Sequence, residues 1–239
     1  MIKRSWLIAA TATLAMLAGG CATPASSPEN DYADLVMRAD RAGVTFAQAT
    51  AVIPALDTNQ AYTIQHRLVD RRIKAGDAVA GFKSGLMSAK SLTDRKAAQP
   101  LVGALFRSGS VHTGTMVSLC GYRRPALEMK LGFVFNRPVR ERLGSIDALK
   151  ARVGGIAPIV ELPDIAYADG KNYLALDMIA ANISAARYVR AGTVPVPASD
   201  IDQLPVEITR DGLRVTRGLG RESLDGQWSS LLTVVNILV

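Results

Sequence analysis

Along residues 125–136 the apolar positions Leu127, Met129, Leu131, Phe133 and Phe135 recur at every second place, the period of a strand with one face turned to a core. The alternate face begins Glu128, Lys130, Gly132. Two opposite charges therefore lie side by side, next to a glycine that admits close approach to the backbone. Upstream the period becomes helical. Residues 31–43 have helical spacing and a glycine stop, and residues 58–74 carry Ala61, Ile64, Leu68 and Ile73 as a stripe closed by Gly76. Residues 78–83 read as a short buried strand running into the loop 84–88, and the end of a strand is a frequent place for functional groups such as Lys83.

Further on, residues 101–106 are apolar and residues 110–119 alternate loosely as a strand. Ser145 predicts the cap of a helix over 146–153, and residues 156–163 a strand in which Glu161 is the sole charge. Residues 172–182 read as helix and 186–190 as strand. Over 206–217 two alternating runs meet at Asp211-Gly212, the signal of a tight hairpin. Beyond Ser223, residues Leu224, Trp228, Leu231, Leu232, Val235 and Leu238 share one side of a helix.

Composition narrows the reading. The chain has 239 residues, 49% of them hydrophobic, enough for one large core or for a small domain plus a larger one. Its net charge of +7 comes from scattered Lys and Arg with no aromatic-interleaved basic stripe, so nothing supports nucleic-acid binding. Residues 1–20 have a basic start, an apolar run too short to span a bilayer and a small-residue end, the order of a secretion signal. Leu17-Ala-Gly-Gly-Cys21 resembles a bacterial lipobox. That resemblance implies lipidation of Cys21, a flexible tether over 21–31, and a periplasm-facing lipoprotein attached to a bacterial membrane ahead of a domain over 32–239. Cys120, the other of two cysteines, then has no intrachain partner and is expected as a small core residue.

Histidine and serine add little. His66 and His112 lack metal-ligand spacing, Gly218-Leu-Gly220 reads as a turn rather than a phosphate loop, and Ser84, Ser88 and Ser184 have no nucleophile-elbow context.

Several stretches together resemble the 2-keto-4-pentenoate hydratase branch of the fumarylacetoacetate hydrolase superfamily: Ala61-Tyr-Thr-Ile-Gln-His-Arg67, Gly81-Phe-Lys-Ser-Gly-Leu86, Leu127-Glu-Met-Lys-Leu-Gly-Phe-Val134, Pro158-Ile-Val-Glu161 and Asn182-Ile-Ser184, with the 211–212 hairpin. The resemblance implies an α+β fold, with N-terminal helices and a mixed, twisted β-roll around one site. It also implies Mg²⁺ or Mn²⁺ on three carboxylates and a small 2-oxo or 2-hydroxydienoic acid as substrate. Glu128 and Glu161 match two metal ligands. Lys83 matches a lysine for substrate binding or proton transfer, and Ser84, Lys130 and Asn182 are expected at the substrate. A homo-oligomer is compatible with the family.

The chain also departs from the pattern. Lys130 stands where the second carboxylate of the strand motif belongs, and an ammonium has three donors and no lone pair to offer a cation. Ala181 replaces an Asp, Arg107-Ser-Gly109 replaces an acidic patch, and the family's last strands have no counterpart after Val239. Two readings follow. In one, the chain is a working hydratase or related lyase with a weak metal site. In the other, the Lys130 ammonium replaces the metal between Glu128 and Glu161, leaving an inactive lipoprotein that binds a small carboxylate or serves as a scaffold. Both require residues 83, 128, 130 and 161 to converge.

Overall fold

Caps and stops in the sequence set where the helices lie. A computed structural model describes residues 26–219 and 224–239; the stretch expected as a secretion signal, Cys21, Gly220 and Ser223 lie outside the described residues. Helix α1 (Pro28–Ala42) begins where the Ser27 hydroxyl accepts from the Asn30 N–H at 3.3 Å, and it ends at Gly43, whose φ of 66° is left-handed. A short α2 (Ala49–Val52) follows. Helix α3 (Thr58–Lys74) opens on a reciprocal cap, in which Asp57 accepts from the Gln60 N–H and the Gln60 side chain accepts from the Asp57 N–H. Ala61, Ile64 and Leu68 of its predicted stripe are buried, whereas Ile73, in the last turn, is exposed.

The strands form three sheets. Strand β1 (Val79–Gly85) pairs antiparallel with β2 (Leu101–Phe106), with α4 (Ala89–Asp94) between them in sequence. A four-stranded mixed sheet takes the order β3-β6-β5-β4, with β3 (Ser110–Val111), β4 (Glu128–Phe135), β5 (Val153–Leu162) and β6 (Arg187–Arg190); β3 runs parallel to β6 and the other pairs are antiparallel. Helix α5 (Ile146–Lys150), capped by Ser145 as expected, leads into β5, and α6 (Ala175–Ala180) precedes β6. Strands β7 (Pro205–Arg210) and β8 (Leu213–Leu219) form the predicted hairpin, with positive φ at both Asp211 and Gly212. Helix α7 (Gly226–Leu238) comes last among the described residues.

The main core lies between α1, α3 and α6. Tyr32, Ile64, Tyr167 and Ile179 are almost fully buried in it. Gln65 on α3 ties the layers together, donating from Nε2 to the carbonyls of Val102 on β2 (2.9 Å) and Ile179 on α6 (3.1 Å). Asp177, fully buried, accepts from the Thr50 N–H (2.8 Å) and the Leu174 N–H (2.7 Å), which joins α2 to the start of α6. A smaller cluster places Leu143 and Leu149 against Val235 and Trp228 of α7.

Three expectations are corrected. The 78–83 strand is not buried throughout, since Phe82 is 54% exposed. The loose strand over 110–119 reduces to Ser110–Val111, and the chain from 112 to 127 is irregular. Within that run Cys120 is exposed rather than in the core: a segment without ladder bonds or apolar neighbours at regular spacing has no face to bury.

Candidate functional site

The antiparallel register of β4 on β5 sets Glu128 directly opposite Glu161, so both carboxylates leave the same face of the sheet. Lys130, two residues along β4, shares that face. From the other sheet, Lys83 on β1 reaches across. Its Nζ lies 2.5 Å from Glu161 Oε2 and donates to the Ile183 carbonyl at 3.2 Å. Side-chain exposure is only 2% for Lys83 and 5% for Glu161, whereas the Lys130–Glu128 pair, 2.7 Å apart, is partly open to solvent at 28% and 41%. The cluster is thus a closed pair beneath an open one. Burial works to raise the Glu128 pKa, but the ammonium of Lys130, with Lys83 behind it, outweighs burial and holds the carboxyl below its usual range.

The apolar row of β4 does not face the deep core. Leu127 is 52% exposed, and Phe133 packs on Trp228 of α7 with ring centroids 5.3 Å apart. The charged face is covered only in part, with Glu161 buried opposite a Glu128 that stays partly exposed. What approaches Gly132 is the side chain of Ile159, which a Cβ there would meet at 2.5 Å.

A left-handed turn positions Lys83. Asn182, Ile183 and Ser184 have φ of 51°, 49° and 52°, a conformation costing roughly 1–2 kcal/mol per L-residue. The Asn182 side chain holds it in place: Nδ2 donates to the Ala104 carbonyl at 2.9 Å and Oδ1 accepts from the Ala104 N–H at 2.7 Å. Gly103, opposite Lys83 in the β1–β2 ladder, makes room, because a Cβ there would stand 3.0 Å from the Asn182 carbonyl oxygen. The Ile183 carbonyl is thereby aimed at Lys83.

Lys83, Glu128, Lys130 and Glu161 therefore converge, as the sequence required. Asn182 bonds Ala104 through both polar atoms of its amide, which positions the turn beside Lys83. Ser84 is the neighbour of Lys83 on a strand whose side chains alternate, so it faces the opposite side. His66 and His112 are exposed and outside the cluster. Sequence reasoning missed Asp164, whose carboxylate accepts from the N–H groups of Arg123 (3.0 Å) and Arg124 (2.8 Å) and fixes the approach to β4. Its signal was slight, an acid just beyond Pro163 at the end of β5.

The residues do not fit a divalent metal. Among the described residues there is no group of three His, Cys, Asp or Glu side chains able to hold one. The cluster offers two carboxylates, each already matched by an ammonium within 2.7 Å. A divalent ion placed among them would face two positive charges at short range.

No family model matches the chain. It is 31% identical over 204 residues to a 2-keto-4-pentenoate hydratase of Burkholderia vietnamiensis, covering 83% of this chain and 77% of that one. It is 28% identical over 186 residues to a 4-oxalocrotonate decarboxylase of Pseudomonas putida, covering 77% and 70%. In three dimensions it matches the 4-oxalocrotonate decarboxylase from Pseudomonas putida G7 complexed with magnesium and adipate, with a TM-score of 0.83, 23% identity, and 88% and 80% of the chains covered. A complex of the same enzyme with calcium and acetate gives 0.81.

Proposed function

The chain belongs to the 2-keto-4-pentenoate hydratase family, and from that premise we propose a hydratase-type lyase that adds water to a small 2-hydroxydienoate or 2-oxo acid without a resident metal. The carrying observation is the buried Lys83–Glu161 pair beneath the open Lys130–Glu128 pair. Lys130, the more accessible ammonium, swings from Glu128 to take the substrate carboxylate at the mouth. The 2-oxo or enol oxygen then lies toward Lys83. As the enol O–H proton passes to Glu161, the charge left on oxygen is stabilised by the Lys83 ammonium, and the same proton returns to carbon as the keto form develops. Water adds across the activated double bond, its hydroxyl to one carbon and its proton to the next.

The Mg²⁺ or Mn²⁺ expected from the resemblance has no part in this scheme. In the same proposal Cys21 carries lipid and residues 21–31 tether the domain to a membrane on the periplasmic side; the basic, apolar and small-residue order of the N-terminus supports this.

A second reading is favoured by one observation, that both acids of the cluster are already neutralised. It makes the protein a carboxylate-binding lipoprotein or scaffold without turnover. Hydration of 2-hydroxypenta-2,4-dienoate, followed by loss of dienol absorbance, decides between them. We expect turnover that survives EDTA and falls by about 10²-fold or more in Lys83→Met. No turnover with or without Mg²⁺, while the dienoate still binds, overturns the lyase reading and leaves the binder.

A further inference from the structure

A second cleft, of about 340 Å³, opens between α1, the turn Arg107–Gly109 and the irregular run 120–123. It shares one wall with the site described above. Ser184 and Ala185 of the left-handed turn line the cleft, while the carbonyl of Ile183, one residue earlier, bonds Lys83.

Three guanidinium groups border this volume: Arg72, Arg123 and Arg187. Two are fixed in place. Arg72 lies 4.2 Å from the centroid of the Phe106 ring and donates to Asp77 and Ser108, each at 3.3 Å. Arg123 is held between Asp40 at 2.8 Å and Asp164 at 2.9 Å. The third is free: among the described residues the Arg187 guanidinium has no hydrogen bond or ion pair. It nonetheless lies near enough to Tyr122, another lining residue, to oppose the rise that burial imposes on the phenol pKa.

The carboxylates that line the cleft are Asp40 and Asp164, and both are engaged by Arg123. With Asp77 on Arg72, three guanidinium groups meet three carboxylates, and Arg187, an exposed residue of β6, is the one without an ion pair among the described residues. The remaining lining includes Val36, Phe46 and Ala181, an apolar surface beside the guanidinium rim. The lining as a whole is more polar than apolar, and the volume lies at the lower end of the range for small-molecule sites. A planar guanidinium pairs with a carboxylate through two parallel N–H bonds.

We propose that this cleft is a second binding site, for an organic carboxylate with a short apolar body, and that Arg187 captures the carboxylate. The site is independent of the chemistry proposed for the Lys83 cluster, although the two share the turn 182–184 as a partition. An occupant resting on Ser184 and Ala185 bears on the backbone that orients Lys83.

Benzoate is a suitable probe, titrated calorimetrically into the full chain, Lys130→Ala and Arg187→Glu. The expected result is a binding event that persists in Lys130→Ala and weakens at least about tenfold in Arg187→Glu, the loss of one charge-assisted contact. If no event persists in Lys130→Ala, or if the persisting event is indifferent to Arg187→Glu, the proposal is overturned. A benzoate event lost only in Lys130→Ala would instead belong to the Lys83 cluster. Should Arg187→Glu not fold, Cys120, which lines the same cleft and is exposed, gives a readout in the unaltered protein. Benzoate is expected to slow its alkylation, measured on the Cys120 peptide, and an unchanged rate overturns the proposal.

Discussion

At the scale of single residues, the ammonium at position 130 decides what the cluster can hold. It supplies a positive charge where the family resemblance calls for a carboxylate, and it occupies Glu128 at 2.7 Å. Lys130→Glu reverses both effects, removing a cation and adding oxygen donors suited to a hard divalent ion. Calorimetric titration with Mg²⁺ or Mn²⁺ is expected to show little binding to the unaltered chain and clear binding to Lys130→Glu. Equal affinities would mean that residue 130 does not govern the metal. The same pair sets a pH dependence. The Glu128 carboxyl is held below its ordinary range in the folded chain, so its contribution to stability is present above the ordinary glutamate value and is lost as pH falls through the lower folded value. Thermal melts of the protein and of Glu128→Gln should differ near neutrality and converge below about pH 4.5. A constant gap down to pH 3 would show that the Glu128 charge does not stabilise the fold.

At the scale of elements, the turn 182–184 links the core to the site. Its three left-handed residues persist because the Asn182 amide closes on both polar groups of Ala104. Asn182→Ala leaves the buried Ala104 N–H and carbonyl without those partners and places alanine at positive φ. We expect a loss of roughly 2–4 kcal/mol in urea denaturation, and a loss under 1 kcal/mol would show that the turn is held by something else. Sequence reasoning pointed to this asparagine but gave it a ligand role, because motif position says nothing about which neighbours consume an amide. The same limit explains β4. Period two shows which residues share a face and leaves open which face is covered, and here both faces of β4 are partly covered, the charged one against Glu161 and the apolar one where Phe133 meets Trp228. The hairpin was legible because Asp211-Gly212 fixes its geometry locally. The opposition of Glu128 and Glu161 was not, since register between strands distant in sequence depends on the whole sheet. The family resemblance gave these two acids only as metal ligands of one site, and their cross-strand pairing is seen first in the structure.

At the scale of the whole molecule, the sheets differ in how firmly they are held. β5 lies between β4 and β6, so its backbone is bonded on both sides. β7 and β8 pair with each other and with no other strand among the described residues. Leu213 and Val215 on β8 are 75% and 63% exposed, so little apolar burial supports the hairpin, and two-stranded ribbons are marginal in water on their own. Local opening should therefore release the hairpin well below the free energy of global unfolding. In native-state hydrogen exchange, amides of β7 and β8 are expected to exchange faster than those of β5 by at least about two orders of magnitude, equivalent to roughly 3 kcal/mol of opening free energy. Protection of the hairpin equal to that of β5 would contradict this ranking. It would mean that in solution the exposed Leu213 and Val215 are covered, and the first measurement to follow would be the molar mass of the protein, since a second copy is the simplest cover for such a face.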